Sequence, residues 1–570
     1  MYPLIPLSLL FLLGPSNAAV QVTVPATPST SNVVLANFLG VSFELSFLPE
    51  YFGNDTSTIN APMVNYMAGI RARTGSNPLR LRIGGNSADS SPYIDTASSP
   101  MVQLQPGDFN ANDQPVDYNP MIWSVLSEVS KQVNGISYAI NIPLGIQPNA
   151  SLSNDIRATL GSDLDSMLLG NEPDLYSGHA KRPNLKNYTV DNYFDEYTAA
   201  ISTIGPNDAA GHPDIAGPSV CCNWDLLSVL QQGYLTKFST SLKYISLQHY
   251  PQNNCFGSFQ FQMPYYLQHS NVVTLAAWQK PGIDYLLSQP AATRPLLMNS
   301  EFNSASCGGV PFSPSFAVGS LWSIDYALQM AVVGYDQAFI HTREAGISYN
   351  LLAPPPGPSG SAGAWTTNAP YYSLLVMSEG LLTDAGGIVS DLDLGSSKTN
   401  INATSSAYAV YNAGNKTVTR LIIFNYGNSS QDFTLPGSVF ASSGTGLVKF
   451  LAAPTPEETT QISWGGETWG PGVADGKTAV TPSWAVPNVN LTGCSSGCTF
   501  TAPGPSLSMV FLDNAQDSVI TTPNTTTSGS NSTTTNKSGH SGAMAVNVSL
   551  KTVMGVLMSL ASFALLSVSL

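Results

Sequence analysis

Leu168-Leu169-Gly170-Asn171-Glu172-Pro173 is an apolar run that stops at a lone carboxylate, and Met298-Asn299-Ser300-Glu301-Phe302-Asn303 repeats the pattern about 130 positions later. An apolar run ending on one acidic residue reads as a buried parallel strand that delivers the group to its carboxyl end. Working outward, eight such apolar or β-branched runs can be marked: 39–47, 79–85, 137–144, 166–172, 214–220, 244–250, 295–301 and 337–342. Amphipathic stretches at 62–73, 120–133, 190–204, 224–238 and 318–333 fall between them. This alternation predicts a closed (β/α)₈ TIM barrel, α/β in class. A doubly wound open sheet competes, but no Gly-x-Gly-x-x-Gly loop follows the first strand. Polar residues sit at many strand ends (Glu44, Asn86, Asn171, Glu172, His249, Tyr250, Glu301, His341, Arg343), as a barrel with its site on the carboxyl-terminal face requires.

Beyond about Tyr371 helical periodicity fades, and short strands alternate with Gly, Asn and Pro turns, for example 407–411, 419–426 and 506–512. That texture predicts a C-terminal all-β sandwich. The expected organisation is a leader (1–19), a strand segment joining the sandwich (20–37), the barrel (38–370), the sandwich (371–513), a stalk (514–542) and an anchor signal (543–570). The leader has an apolar run, Leu4 to Leu13, too short to span a membrane, before small residues Ala18 and Ala19. The stalk is rich in Ser, Thr and Asn and cannot bury a core. Small residues Ser541-Gly542-Ala543, a spacer and an uncharged apolar tail then follow the order of a glycosylphosphatidylinositol signal, with an ordinary C-terminal transmembrane helix as the alternative. Eleven N-x-[ST] sequons and six cysteines fit a secreted, surface-attached glycoprotein. Six cysteines allow 15 pairings, and Cys494-x₃-Cys498 suggests a small local loop.

The net charge is −15, from 36 acidic residues against 21 Lys plus Arg. A chain so acidic is a poor partner for nucleic acid or a densely sulfated polyanion. It suits carboxylate chemistry in an acidic medium. Two carboxylates on one barrel face match what glycoside hydrolysis needs: one acid that keeps its proton and one carboxylate that attacks. Glu172 is the expected acid/base, with the Asn171 amide available to a sugar hydroxyl. Glu301 is the expected nucleophile, with Tyr250, beside His249, placed to donate to it. No metal constellation or nucleotide loop is evident, so neither metal nor cofactor is expected.

Leu81-Arg82-Ile83-Gly84-Gly85-Asn86-Ser87-Ala88-Asp89, Leu169-Gly170-Asn171-Glu172-Pro173, Gln248-His249-Tyr250 and Ser300-Glu301-Phe302-Asn303-Ser304 with Cys307-Gly308-Gly309 together resemble glycoside hydrolase family 79, the β-glucuronidase and heparanase relatives. That family belongs to the clan with catalytic glutamates on barrel strands four and seven. The resemblance covers roughly residues 20–513. It implies a retaining mechanism and a glycan substrate carrying β-linked glucuronic acid, with or without a 4-O-methyl group. It also implies that main-chain amides at Gly308 and Gly309 and Tyr349 grip the substrate carboxylate. Glu44 and Asn86, at the ends of strands one and two, are the expected hydroxyl binders. An exo-acting β-glucuronidase, an endo-acting heparanase-like enzyme and a non-catalytic wall protein are the competing readings. The scarcity of Lys and Arg weighs against the second and the paired glutamates against the third.

Overall fold

The computed structural model describes residues 18–107, 111–179, 181–356, 363–470, 475–476 and 479–512. The stalk and anchor signal, and all but the last two residues of the leader, lie outside them.

Eight parallel strands close into a barrel: β1 (Leu39–Glu44), β2 (Leu79–Gly84), β3 (Ile136–Ile142), β4 (Leu164–Leu169), β5 (Ile215–Val220), β6 (Leu242–Gln248), β7 (Leu296–Phe302) and β8 (Gln337–Thr342). Strand β8 pairs with β1, so the open-sheet alternative is excluded. Nearly every strand residue is buried, because helices cover the outer face and side chains fill the lumen. The lumen is layered. Ala139, Leu168, Ala216, Tyr244, Met298 and Phe339, from six successive strands, form a separate apolar plug. Ser42, Arg82, Asn141, Ser246, Gln248 and Ser300, also buried, form a hydrogen-bonded polar network inside the barrel. Fully buried polar groups are stable only when paired.

An antiparallel sheet in the order Gly387–Asp391, Ser405–Asn412, Val418–Asn425, Ser506–Phe511, Gly446–Ala452, Ser463–Trp464 follows, with Val489–Leu491 on Gly446–Ala452. It faces a three-stranded sheet of Val20–Gln21, Gln431–Leu435 and Cys498–Ala502 across a shared apolar core. The chain's first described strand thus pairs with the sandwich before entering the barrel. Helical structure extends past Tyr371, to a helix at Ala369–Leu381. All of its residues are buried, so it has no polar face and no amphipathic period to read.

Barrel and sandwich are joined by an ionic clamp. His269 gives Nδ1 to Asp325 at 3.0 Å and Nε2 to Asp391 at 3.0 Å, and Tyr408 and Tyr426 donate to Asp325. Burial opposes the imidazolium, but the two carboxylates overcome it and push the pKa up to about 10. The same contacts hold Asp391 below its usual 3.8, again against burial. The imidazolium's contribution to stability is full below the unfolded pKa of 6.5 and is lost as pH rises toward 10. That of Asp391 is present above 3.8 and lost as pH falls below it. The clamp therefore serves best at mildly acidic pH. His269→Gln should lower stability by about 3 kcal/mol at pH 5, since it leaves buried carboxylates uncompensated. It should also remove much of the decline in Tm between pH 6.5 and 10. A wild-type Tm slope in the variant would show that His269 is neutral in the fold.

Candidate active site

The carboxyl-terminal ends of the strands open into a cleft of about 1120 Å³, lined among others by Glu44, Asn86, Glu172, His249, Tyr250, Glu301, His341, Arg343 and Tyr349. Local backbone irregularities aim the two glutamates. Strand β7 slips register between Asn299 and Phe302 against both neighbours, and the Glu301 N–H is given to Asn299 Oδ1 at 3.1 Å. A bulge of this kind re-aims a side chain at a strand end. Glu172 lies three residues past β4 in left-handed backbone, φ 47° and ψ 54°. A non-glycine residue there carries strain of about 1–3 kcal/mol, an arrangement concentrated at functional sites.

Glu301 is braced on both oxygens. Arg82 Nη1 donates to Oε2 at 2.6 Å, and the Tyr250 hydroxyl donates to Oε1 at 2.8 Å. His341 Nε2 lies 3.8 Å from Oε1 and 3.4 Å from Glu44. Burial works against the charge of Glu301, but His341, Arg82 and Tyr250 outweigh it and leave its pKa below the ordinary carboxylate value. Glu172 goes the opposite way. Desolvation, followed by the charges of Glu301 and Asp174, pushes its carboxyl well above 4.5 despite the attraction of Arg82. The two carboxyl groups are thus shifted in opposite directions, Glu172 up and Glu301 down, the kind of divergence by which neighbouring carboxyls can take different roles. Burial and the neighbouring Glu301 charge also raise the Tyr250 hydroxyl, so it remains a donor.

Arg82 organises this floor. Its guanidinium, fully buried, donates to Ser42 Oγ, Glu301, Asn141 Oδ1 and Asn171 Oδ1 at 2.6–3.0 Å. The glycines after it make room. A Cβ at Gly84 would meet the Arg82 guanidinium at 2.5–2.7 Å, and one at Gly85 would meet the Glu44 carboxylate at 2.1 Å. The Arg-Ile-Gly-Gly-Asn run is therefore a packing requirement of two charged side chains.

Three expected substrate contacts stand behind the cleft lining. Asn171 is buried and absent from the cleft lining: its Oδ1 accepts from Arg82 and Gln248, and its Nδ2 donates to Asn86 Oδ1 at 2.9 Å. Its amide joins Arg82 to Asn86, and Asn86 is the member of that chain that reaches the cleft. Gly308 and Gly309 also stand behind the lining. The Gly309 N–H is given to Ala305 O at 3.1 Å, and Gly308 O accepts from Ser348. Ser306 and Cys307 form the wall in their place. Arg82 and Gln248 have network roles that the sequence does not reveal, although both stand inside its motifs. Arg343, a strand-end residue in the sequence, is the one Lys or Arg lining the cleft among the described residues; it lies beside Tyr349, with its guanidinium ion-paired to Glu344 at 3.0 Å.

The six cysteines pair as Cys221–Cys222, Cys255–Cys307 and Cys494–Cys498. The second ties the loop after β6 to the loop after β7 at the cleft wall. It also shows that Cys307, close to Glu301, is no free thiol.

No protein-family model matches the chain. It is 25% identical over 511 residues to a beta-glucuronidase of Neurospora crassa, covering 79% of this chain and 87% of that relative. It is 24% identical over 514 residues to a beta-glucuronidase of Aspergillus niger, covering 81% and 88%. Among solved structures, a 4-O-α-L-rhamnosyl-β-D-glucuronidase from Fusarium oxysporum in complex with Rha-GlcA superposes with a TM-score of 0.67 at 20% identity, over 86% of this chain and 100% of that one. A family 51 α-L-arabinofuranosidase from Bifidobacterium longum gives 0.54 at 12% identity, over 87% and 100%. The barrel followed by an all-β domain is thus a fold that glycoside-cleaving enzymes carry.

Proposed function

We propose that this chain is a glycoside hydrolase that removes terminal β-linked glucuronic acid by a retaining, two-step route. The opposed settings of Glu172 and Glu301 carry the reading: one carboxyl keeps its proton, and the other is held ionised by Arg82 and Tyr250 on both oxygens. In the first step Glu172 gives its proton to the glycosidic oxygen while Glu301 attacks the anomeric carbon, and the aglycone leaves as a neutral alcohol. In the second, Glu172 takes a proton from water, which attacks the same carbon and releases Glu301 as carboxylate. Support for nucleophilic attack over activation of a water is that His341, Arg82 and Tyr250 hold Glu301 below its ordinary pKa, which makes it a weak base and a good leaving group in the second step. Uronate selectivity is supported by Arg343 and Tyr349 in the lining and by the likeness to two proteins named beta-glucuronidase. Placement outside the cell through a lipid anchor rests on the leader and tail signals of the sequence.

The test is release of 4-nitrophenol from the β-D-glucuronide, β-D-glucoside and β-D-xyloside across pH. Turnover is expected on the glucuronide alone. It should fall on the acid side as Glu301 protonates and on the basic side as Glu172 loses its proton. Glu172→Gln should remove the basic limb and lower kcat by about 10²–10⁴-fold on substrates with poor leaving groups. Preference for the glucoside would sink the uronate assignment. A basic limb that survives in the variant would sink the acid assignment.

A further inference from the structure

Barrel order divides the cleft into two chemically different halves. Strands β7, β8 and β1 lead to Glu301, His341, Arg343 and Glu44, a charged wall. Strands β4, β5 and β6 lead through Glu172 to Cys221, Cys222 and His249, and Trp278 joins them from the segment before β7.

The second wall is purpose-built. Cys221 and Cys222 are bonded to each other, so adjacent residues form an eight-membered ring that presents sulfur and methylene surface and no thiol. Asp174, two residues past Glu172, accepts the main-chain N–H groups of Cys221, Cys222, Asn223 and Trp224 at 2.7–3.4 Å. Asp174, Cys221 and Cys222 place candidate ligand atoms within 4.8 Å of one another. With the sulfurs joined and the carboxylate committed to the main chain, that cluster serves to hold a surface. Next to it, His249 lies flat on half-buried Trp278, ring centroids 4.0 Å apart and planes at 2°. His249 also bonds the main chain of Cys221, and burial pushes its pKa down to about 4, so the wall stays uncharged in a mildly acidic medium.

An acid that protonates the glycosidic oxygen must face the departing group. The surface that continues from Glu172, on the side away from Arg343, is therefore the surface the departing group meets. We infer that the Cys221–Cys222 ring and Trp278 form the leaving-group subsite, and that it takes an uncharged group with an apolar face, a neutral hexose or an aromatic alcohol. Sulfated or uronic leaving groups are disfavoured there: an anion would meet the disulfide, Trp278, His249 and Glu172, and His179, the other imidazole on this side of the lining, is held below its usual 6.5 by burial and Lys181. This rests on the reading of Glu172 as the acid and deepens it.

The experiment compares β-D-glucuronyl fluoride, which departs as fluoride and needs no leaving-group subsite, with a β-glucuronyl-glucose disaccharide and its 6-sulfated form. The full chain is used. Trp278→Ala should lower kcat/KM on the neutral disaccharide about tenfold more than on the fluoride, the scale of one lost ring contact. Trp278→Phe should recover most of that difference, and the Cys221→Ala, Cys222→Ala double variant should behave like Trp278→Ala. The wild type should prefer the neutral over the sulfated disaccharide by at least about tenfold. Should the double variant lose cooperative melting, the two Trp278 variants carry the test. Equal losses on fluoride and disaccharide, or equal rates on neutral and sulfated disaccharides, would overturn the inference. Turnover of β-D-glucosyl fluoride but not of the glucuronyl fluoride by the wild type would instead overturn the glucuronidase reading, and this one with it.

Discussion

Replacing Glu301 with glutamine should reduce turnover of aryl glucuronide by at least about 10⁴-fold, the scale on which enzymes lose activity when an attacking group is removed. Glutamine suits the test because it can keep both contacts: its carbonyl can accept from Arg82 and its amide nitrogen can face the Tyr250 oxygen. The fold should therefore survive, with Tm close to that of the wild type, while the electron pair that attacks the anomeric carbon is gone. Alanine at the same place goes further, because it opens the face from which attack occurs. With added azide the alanine variant should regain turnover and form the α-glucuronyl azide, the product of a single inversion. The matching alanine variant at Glu172 should form the β-azide, because there Glu301 still inverts first. The same azide anomer from both variants would falsify the division of roles.

Arg82→Met should move the acid limb of the pH profile to higher pH and lower kcat/KM by about 10²-fold, roughly 2.7 kcal/mol at the transition state. The sign follows from the contacts. Arg82 helps to hold Glu301 below its ordinary value against burial, so its loss raises the pKa, and more acid-side activity is lost at a given pH. The guanidinium is fully buried and ties its own strand, β2, to groups from β1, β3, β7 and the turn after β4, so the variant should also lose about 3 kcal/mol or more of stability. Arg82→Lys separates charge from geometry. One ammonium can restore the contact with Glu301, and so part of the acid limb, but cannot reproduce the fork that reaches Asn141 and Asn171 together. Arg82 acts through Glu301 and is a positioning residue. An acid limb that stays in place in the methionine variant would refute that role.

The positions of both glutamates and of all eight strands are legible because they depend on short-range pattern. A strand buried on both faces must be apolar for five or six residues, and a carboxylate closing such a run stands out against it. Cleft residues at strand ends, Glu44, Asn86, His249 and Tyr250, are legible for the same reason. Legibility fails where a side chain's partner is remote. Asn171 sits beside Glu172 in the chain and invites a substrate contact, yet Arg82 and Gln248 take its oxygen from other strands. Gly308 and Gly309 are read as glycines whose N–H groups can approach an anion closely, and in the structure they have left-handed backbone, with φ of 92° and 86°. The Gly309 N–H goes to Ala305 O and the Gly308 carbonyl accepts from Ser348, partners that the motif around the two glycines does not announce.

The sequence by itself determined the alternating order of strand and helix, the all-β domain after it, and the two carboxylates that barrel closure would bring to one face. These follow from periodicity and from the composition of buried strands, which are local properties. Only the tertiary structure decided that Arg82 binds Glu301, 219 positions away, that Cys221 bonds to its neighbour Cys222, and that His269 meets Asp325 and Asp391. Such partnerships come from the register of a closed barrel and from which groups must share a desolvated space. Chain proximity does not encode them, because pairing energy in a buried site depends on distance in the folded chain and on the polar groups left to satisfy one another there.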